Sequence, residues 1–286
     1  MTLMQTEATT GTAQDKPNQP PPNFWDPIPY LTEVPTTKCL TRVEHDIWEI
    51  EDYSIPGMFI SAEENDMTKI HALILGPTGT PYEGGFFHFL MKCPPDYPDS
   101  PPRVRLMTTD AGRVRFGPSF YENGKVCLGL LGTSSAGTTW SSGQCLGSVL
   151  FAIKSLLTTE NPVAQGSAFG VLPALGTWLS GKICYNAVLQ HETIRVAVCD
   201  VVECCLRETS PWPPAFRDKI LKHFPQFYTE YERTVKKHLH LTGSYMNDSK
   251  EGGVPTYQFE TLLQRLAELR EKVRGVNDAA AGKANE

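Results

Sequence analysis

Short β-rich runs bounded by turn residues are the feature of this chain that most constrains its fold. Met58 to Ser61, Lys69 to Leu75 and Phe86 to Lys92 are separated by an acidic turn and by the glycine- and proline-rich stretch 76–85, and Arg103 to Met107 follows a proline pair. Runs of this length with turn-rich connections are typical of antiparallel strands. The pattern predicts an antiparallel meander of four strands.

An amphipathic helix is predicted on each side of these strands. The apolar residues of segment 38–53 recur at helical spacing: Leu40, Val43, Ile47 and Ile50. The acidic residues of this segment predict an acidic outer face: Glu44, Asp46, Glu49, Glu51 and Asp52. Segment 144–157 places apolar residues on one face: Leu146, Val149, Leu150, Ile153 and Leu157. An N-terminal helix before the sheet and a covering helix after it predict an α+β fold.

Composition divides the chain into a core, a helical extension and two tails. Residues 1–37 are rich in proline and polar residues, which predicts a disordered tail because little apolar surface can be buried. Some side chains in this tail can dock locally: Phe24, Trp25, Ile28 and Tyr30. Residues 38–165 form the predicted core, 166–275 a helical C-terminal extension and 276–286 a second disordered tail. Helices are expected in the extension: Ile183 to Arg207, Pro214 to Leu239 and Tyr257 to Arg274.

Charge and cysteine usage argue against several classes of protein. The formal net charge is −6 and no lysine/arginine block occurs, whereas a nucleic-acid surface needs a basic patch. The sequence has no secretory signal and no apolar stretch long enough to span a bilayer, which predicts no membrane contact and a cytoplasmic and/or nuclear location. The 8 cysteines lack paired spacings, so we expect free thiols and no zinc or other metal site.

Several landmarks follow one another in a fixed order around Cys127. They are Thr80 to Phe87, Tyr97 to Pro102, Gly124 to Leu128, and Trp140. Taken alone, a cysteine is most often a small buried hydrophobe. Together the landmarks resemble the catalytic core of the ubiquitin-conjugating enzyme family, and spaced landmarks are more specific than one short motif. Through His191 to Asp200 and a helical tail, the resemblance extends over roughly 38–273 to the long Z-type branch of that family.

The resemblance implies that Cys127 is a nucleophile that carries ubiquitin or a ubiquitin-like protein as a thioester. An activating enzyme would hand over the modifier, and Cys127 would pass it to a ligase cysteine or a substrate lysine. No metal or small cofactor is implied, because ATP is used only by the upstream activating enzyme. Since a fold alone does not establish a function, the alternative is a catalytically impaired interaction module with the same fold.

The family's His-Pro-Asn triplet before the cysteine reads Gly117-Pro118-Ser119 in this chain. The resemblance makes Pro118, Ser119 and Trp140 the residues that support the active site, although Trp140 also fits a plain core position. Because the family's Asn donates an amide hydrogen near the thioester, its replacement by Ser119 predicts weaker transfer to lysine than to a ligase cysteine.

The resemblance also places the partner-binding surfaces. Lys38 and Arg42 correspond to basic residues of the first helix that meet the activating enzyme, but acidic neighbours outnumber them, which predicts a dedicated activating enzyme. Asp99 and Ser100 lie where relatives present an apolar anchor to ligases. Ser142 lies in a second ligase loop, where relatives carry a proline. These departures predict a specialised ligase partner or none.

Overall fold

The strands form one antiparallel sheet in the order β1-β2-β3-β4, with helices against both faces. They are β1 (Met58–Glu63), β2 (Asp66–Leu75), β3 (Phe86–Lys92) and β4 (Arg103–Leu106). Helix α1 (Thr37–Tyr53) precedes the sheet, and helix α2 (Leu146–Leu157) follows it. The computed structural model describes residues 23–158, 185–207, 212–246 and 255–283. The predicted α+β fold with an antiparallel meander is confirmed.

The central strands bury side chains on both faces of the sheet. Ile74 of β2 pairs with Phe87 of β3, and both belong to the apolar cluster shared with α1 and α2. The next residue of β2, Leu75, pairs with Phe86, and both belong to a second cluster shared with the C-terminal helices. Because successive strand residues point to opposite faces, these strands need apolar residues at almost every position.

Helix α1 begins after Thr36, whose hydroxyl accepts a hydrogen bond from Cys39 N at 3.2 Å and so caps the first turn. Its buried stripe consists of Cys39, Val43, Asp46 and Ile50. Two predictions for this helix are wrong, because Leu40 is 37% exposed and Asp46 lies in the interior instead of on the outer face. The outer face nevertheless keeps exposed carboxylates: Glu44, Glu51 and Asp52.

Helix α2 buries every apolar residue that the sequence placed on its inner face. Those residues are Leu146, Val149, Leu150, Ile153 and Leu157. They belong to the same cluster as the inner side chains of β2 and β3. The prediction that this helix covers the sheet is therefore confirmed.

The described part of the C-terminal extension forms three helices on the outer face of the sheet. Residues 185–206 form α3, which becomes π-helical over Thr193–Asp200 and returns to an α-helix over Val201–Leu206. Helices α4 (Pro214–His238) and α5 (Phe259–Lys283) follow. Aromatic side chains from these helices pack with Leu73 and Leu75 of β2: Phe216, Phe224 and Phe259.

Both predicted disordered tails contain ordered residues. Helix α5 runs to Lys283, so the predicted helix end at Arg274 and a tail starting at 276 are wrong. Residues 23–36 lie against the core, so that part of the predicted tail 1–37 is also wrong. Residues 1–22, the predicted boundary at 165/166 and the predicted helix start at 183 lie outside the described residues.

The segment before α1 is held by ion pairs to the edge strand β4. Asp26 pairs with Arg105 at 2.5 Å, and Glu33 pairs with Arg103 at 2.6 Å. Trp25 is buried, and its carbonyl accepts a hydrogen bond from Val104 N at 3.2 Å. These contacts cover backbone groups of β4 that an edge strand would otherwise leave unpaired.

None of the helices within the described ranges combines the length and the apolar content needed to cross a lipid bilayer.

Candidate active site

Cys127 lies outside helix and strand, in the connection between β4 and α2, and its side chain is half-buried. Its N–H donates to Ser119 O at 2.8 Å, and the neighbouring pair Phe120 and Val126 forms a β-bridge. At the turn between them Gly124 has φ +88°, and a Cβ there would lie 2.6 Å from Leu106 O. Glycine is therefore required at this turn, which aligns the segment containing Ser119 with the segment containing Cys127.

The sulfur and its neighbouring peptides are bound to Thr133. Cys127 Sγ lies 3.6 Å from Thr133 O, at hydrogen-bonding distance for a thiol. The Thr133 hydroxyl accepts from Leu128 N at 2.9 Å and donates to Val126 O at 2.5 Å. The N–H groups of Cys127 and Leu128 are therefore both occupied, and neither points free toward a developing oxyanion in this conformation.

Arg115 braces the segment that replaces the family triplet. Its Nε donates to Gly117 O at 3.0 Å, its Nη2 donates to Pro118 O at 3.3 Å, and its guanidinium lies 4.2 Å from the ring centroid of Tyr121. Gly117 has φ +110°, a backbone conformation that L side chains rarely adopt. A residue with a Cβ at position 117 would therefore be strained in this backbone conformation. Sequence reasoning missed Arg115, because no spacing rule links it to Cys127.

Trp140 connects the proline loop to the segment before α2. Its indole Nε1 donates to Pro98 O at 2.8 Å, and its ring lies 5.9 Å from that of Tyr97, centroid to centroid. The side chain is half-buried and packs against the inner cluster. Trp140 thus fixes the loop that contains Asp99 and Ser100, while a direct role beside Cys127 stays a prediction.

The predicted partner-binding residues come together near the N-terminal half of α1. Lys38 pairs with Asp99 at 2.6 Å, and Arg42 donates to Ser142 O at 3.1 Å. Ser100 Oγ donates to a neighbouring carboxylate of the same loop, Asp96 Oδ2, at 2.5 Å. Partial burial acts to lower the pKa of Arg42, but its hydrogen bond to Asp46 and the Asp46 charge outweigh burial and raise this pKa above its ordinary value. Both predicted docking cations are therefore already paired within the chain.

Asp46 is the hub of this surface. Its carboxylate accepts from Arg42 Nε at 2.7 Å, from Leu146 N at 3.0 Å and from the Tyr97 hydroxyl. Burial, and then the hydrogen bond to Asp46, raise the pKa of Tyr97, which keeps the phenol protonated as a donor. Helix α1, the proline loop and the start of α2 are thereby tied to one carboxylate. Asp46 lies three residues after Val43 and four before Ile50, and this helical spacing was a signal in the sequence that Asp46 is buried.

Within the described residues, one group of side chains has the arrangement of candidate metal ligands. Atoms of His45, Asp46 and Glu49 lie within 4.8 Å of one another. The oxygen Asp46 Oδ1 already accepts the hydrogen of Arg42 Nε, so a cation would have to displace a guanidinium. We therefore assign no metal to this group.

Comparison with known proteins identifies the class to which this fold and cysteine loop belong. The sequence profile described as "Ubiquitin-conjugating enzyme" matches residues 42–168. The chain is 44% identical over 255 residues to "Ubiquitin-conjugating enzyme E2 Z" of Xenopus tropicalis, covering 88% of this chain and 78% of that protein. The chain therefore belongs to the ubiquitin-conjugating enzyme family, whose members are transferases of ubiquitin conjugation.

The similarity extends to further relatives. The Homo sapiens protein of the same name is 45% identical over 254 residues, covering 88% of this chain and 69% of that protein. Among solved structures, a Toxoplasma gondii ubiquitin-conjugating enzyme E2 domain matches with a TM-score of 0.42 and 23% identity, covering 55% of this chain and 98% of that one. Ubiquitin, an activating enzyme and ubiquitin ligases are the partners of the family in general.

Proposed function

We propose that Cys127 carries ubiquitin or a ubiquitin-like modifier as a thioester. The Cys127 thiolate attacks the acyl carbon of the thioester on the activating enzyme, the bond from that carbon to the enzyme sulfur breaks, and the released thiolate takes up a proton. The observation that carries the proposal is the half-buried thiol on a loop outside regular structure, anchored to Ser119. Exchange of one thioester for another is nearly neutral in energy, so little further machinery is required.

The other described cysteines include buried thiols, which are poorly suited to this role, and half-buried thiols, which serve as controls. Burial raises the pKa of the Cys199 and Cys205 thiols to about 12, which keeps both protonated near neutral pH. Two more cysteines, Cys145 and Cys204, are half-buried as Cys127 is. They are the matched controls for the assignment.

The test is adduct formation in the presence of activating enzyme, ATP and ubiquitin. We expect an adduct that a thiol reductant removes in the unmodified chain, in Cys145→Ala and in Cys204→Ala, and no adduct in Cys127→Ala. An adduct that persists in Cys127→Ala would place the acyl group elsewhere. No adduct in the unmodified chain would favour the alternative, a non-catalytic interaction module, which the occupied amides and the altered triplet also favour.

We further propose that the modifier passes more readily to a ligase cysteine than to a substrate lysine. Loss of one oxyanion donor typically costs about 2.7 to 4 kcal/mol of transition-state stabilisation. Ser119 replaces the family's Asn, so the residue whose backbone carbonyl binds Cys127 N carries a hydroxyl where the family has an amide donor. Discharge of the preformed adduct to free cysteine and to free lysine tests this preference, and equal rates would contradict it.

The outer face of α1 is the surface we propose for the activating enzyme. Trp48 is 60% exposed, and exposed carboxylates lie one helical turn away on the same face: Glu44, Glu51 and Asp52. A dedicated activating enzyme with a basic docking surface would complement this charge. Trp48→Ala and Glu51→Lys should raise the KM for charging and leave discharge unchanged, whereas Tyr245→Ala, at a site 69% exposed in the extension, should alter neither. An unchanged KM in both α1 variants would exclude this surface.

The proposed reaction uses no metal or small cofactor of its own, because ATP is consumed when the activating enzyme loads the modifier. A cytoplasmic and/or nuclear location would place the chain in a compartment that keeps such thiols reduced.

A further inference from the structure

The polar atoms of Thr133 form hydrogen bonds with Val126, Cys127 and Leu128. Its hydroxyl accepts from Leu128 N at 2.9 Å and donates to Val126 O at 2.5 Å, so it binds the backbone on both sides of the nucleophile. Its own N–H donates to Leu128 O at 3.3 Å. Its carbonyl accepts the hydrogen of Cys127 Sγ at 3.6 Å. One residue, six positions along the chain, therefore contacts the sulfur and the peptides on both sides of it.

The loop that contains Thr133 is held close to the nucleophile by a glycine. A Cβ at Gly129 would lie 2.6 Å from Ala136 O and 2.9 Å from Thr138 O, distances that backbone atoms cannot accommodate without moving. Glycine at 129 therefore lets loop 133–139 fold back over the turn that follows Cys127. This close approach places the Thr133 hydroxyl between Val126 and Leu128.

We propose that Thr133 is a positioning residue for transfer through Cys127, an inference that rests on the proposed function of that cysteine. Val126 is fully buried, so its carbonyl has little water to replace the Thr133 hydroxyl. Without that hydroxyl, the peptides on both sides of Cys127 lose the bonds that set the direction of its side chain. Acyl transfer depends on that direction, because the sulfur must meet the carbonyl carbon at about 3 to 3.5 Å in a defined orientation.

The effect is specific to the chemical step. Thr133 acts through the backbone of its neighbours and makes no bond to the acyl group. A displaced sulfur lowers the fraction of encounters that lead to transfer, whereas the docking surface on α1 stays intact. The maximal rate should fall while the KM for the charged activating enzyme is preserved.

The experiment compares four variants of the full chain with the unmodified protein. Thr133→Val keeps the shape of the side chain and removes its hydroxyl, and Thr133→Ser restores the hydroxyl. Gly129→Ala keeps the Thr133 hydroxyl but displaces the loop. Thr138→Val is the matched control, since Thr138 is an exposed threonine of the same loop. Transfer from charged activating enzyme is measured over a range of concentrations, and rates are expressed per folded molecule with a titratable Cys127 thiol.

We expect Thr133→Val and Gly129→Ala to lower kcat about tenfold or more. Thr133→Ser and Thr138→Val should stay within about twofold of the unmodified protein, with similar KM throughout. A wild-type kcat in Thr133→Val, or a kcat in Thr133→Ser as low as that of Thr133→Val, would overturn the proposal. A raised KM with intact kcat would also overturn it, because the loop would then serve recognition.

If Thr133→Val fails to fold, the test rests on Thr133→Ser and Gly129→Ala. A normal kcat in Thr133→Ser with a reduced kcat in Gly129→Ala supports the positioning role. A normal kcat in both variants overturns it. Absence of any adduct in the unmodified chain is a different failure. It would remove the proposed function of Cys127 itself.

Discussion

Replacing Asp46 with alanine should destabilise the protein more than replacing any exposed carboxylate of α1. The substitution leaves a guanidinium, a phenol and the Leu146 amide without their common acceptor. Removing one partner of a buried ion pair typically costs about 3 to 5 kcal/mol. The Arg42 side chain is 26% exposed, so water can partly replace the carboxylate. We therefore expect a loss of about 3 kcal/mol in the free energy of unfolding, at the lower end of that range.

Thermal and denaturant unfolding measure this loss. For chains of about 150 to 250 residues, 1 kcal/mol corresponds to roughly 2 to 4 °C, so Asp46→Ala should lower Tm by about 6 to 12 °C. Asp46→Asn keeps an acceptor oxygen for Leu146 and should cost about half as much. Asp52→Ala, on the exposed face, should change stability by less than about 0.5 kcal/mol. A loss below about 1 kcal/mol in Asp46→Ala would refute the view that this carboxylate holds α1 and its two neighbouring loops together.

Three further outcomes are expected. Ser119→Asn should restore an amide donor and increase discharge to free lysine at least tenfold relative to discharge to cysteine, measured on the preformed adduct. Burial, and then the charge of His71, lower the pKa of His88 to about 3. Because the pKa of histidine in the unfolded chain is about 6.5, the stability that comes from burying neutral His88 is complete above pH 6.5 and is lost as the pH falls toward 3. Denaturant unfolding should therefore show a loss between pH 6.5 and 5 that is smaller by about 1 to 2 kcal/mol in His88→Gln. A loss remains in that variant, because burial also lowers the pKa of His238, to about 4. Arg195→Met leaves the buried Glu192 without the cation that lies 2.5 Å away and should cost about 3 kcal/mol in the same assay.

The sheet and its covering helix were predictable because their signals are local. Turn residues separate every pair of strands, and α2 has apolar residues at each position of its inner face. Helix α1 was assigned less well, because its buried stripe includes Asp46. An acidic residue is normally solvated, and only partners distant in sequence, such as Tyr97 and Leu146, make its burial favourable.

The candidate site was predictable only as far as its motif. Spaced landmarks pointed to Cys127. Thr133 and Arg115 act through hydrogen bonds to backbone carbonyls. Every residue has such a carbonyl, so no residue type in the sequence marks these contacts. Local docking of a few side chains was expected in residues 23–36, but the order of the whole segment was missed for a related reason. Their composition predicts disorder, while a buried Trp25 and two ion pairs to β4 offset the loss of chain entropy.

The sheet's second apolar face limits how the enzyme can be divided. A fragment restricted to residues 42–168, the part matched by the family profile, would leave Leu73, Leu75 and Phe86 facing water. Exposed apolar patches of this kind promote aggregation. The segment that the family profile matches is therefore not a portable module: in expression or engineering, the helices from residue 185 onward must be kept with it.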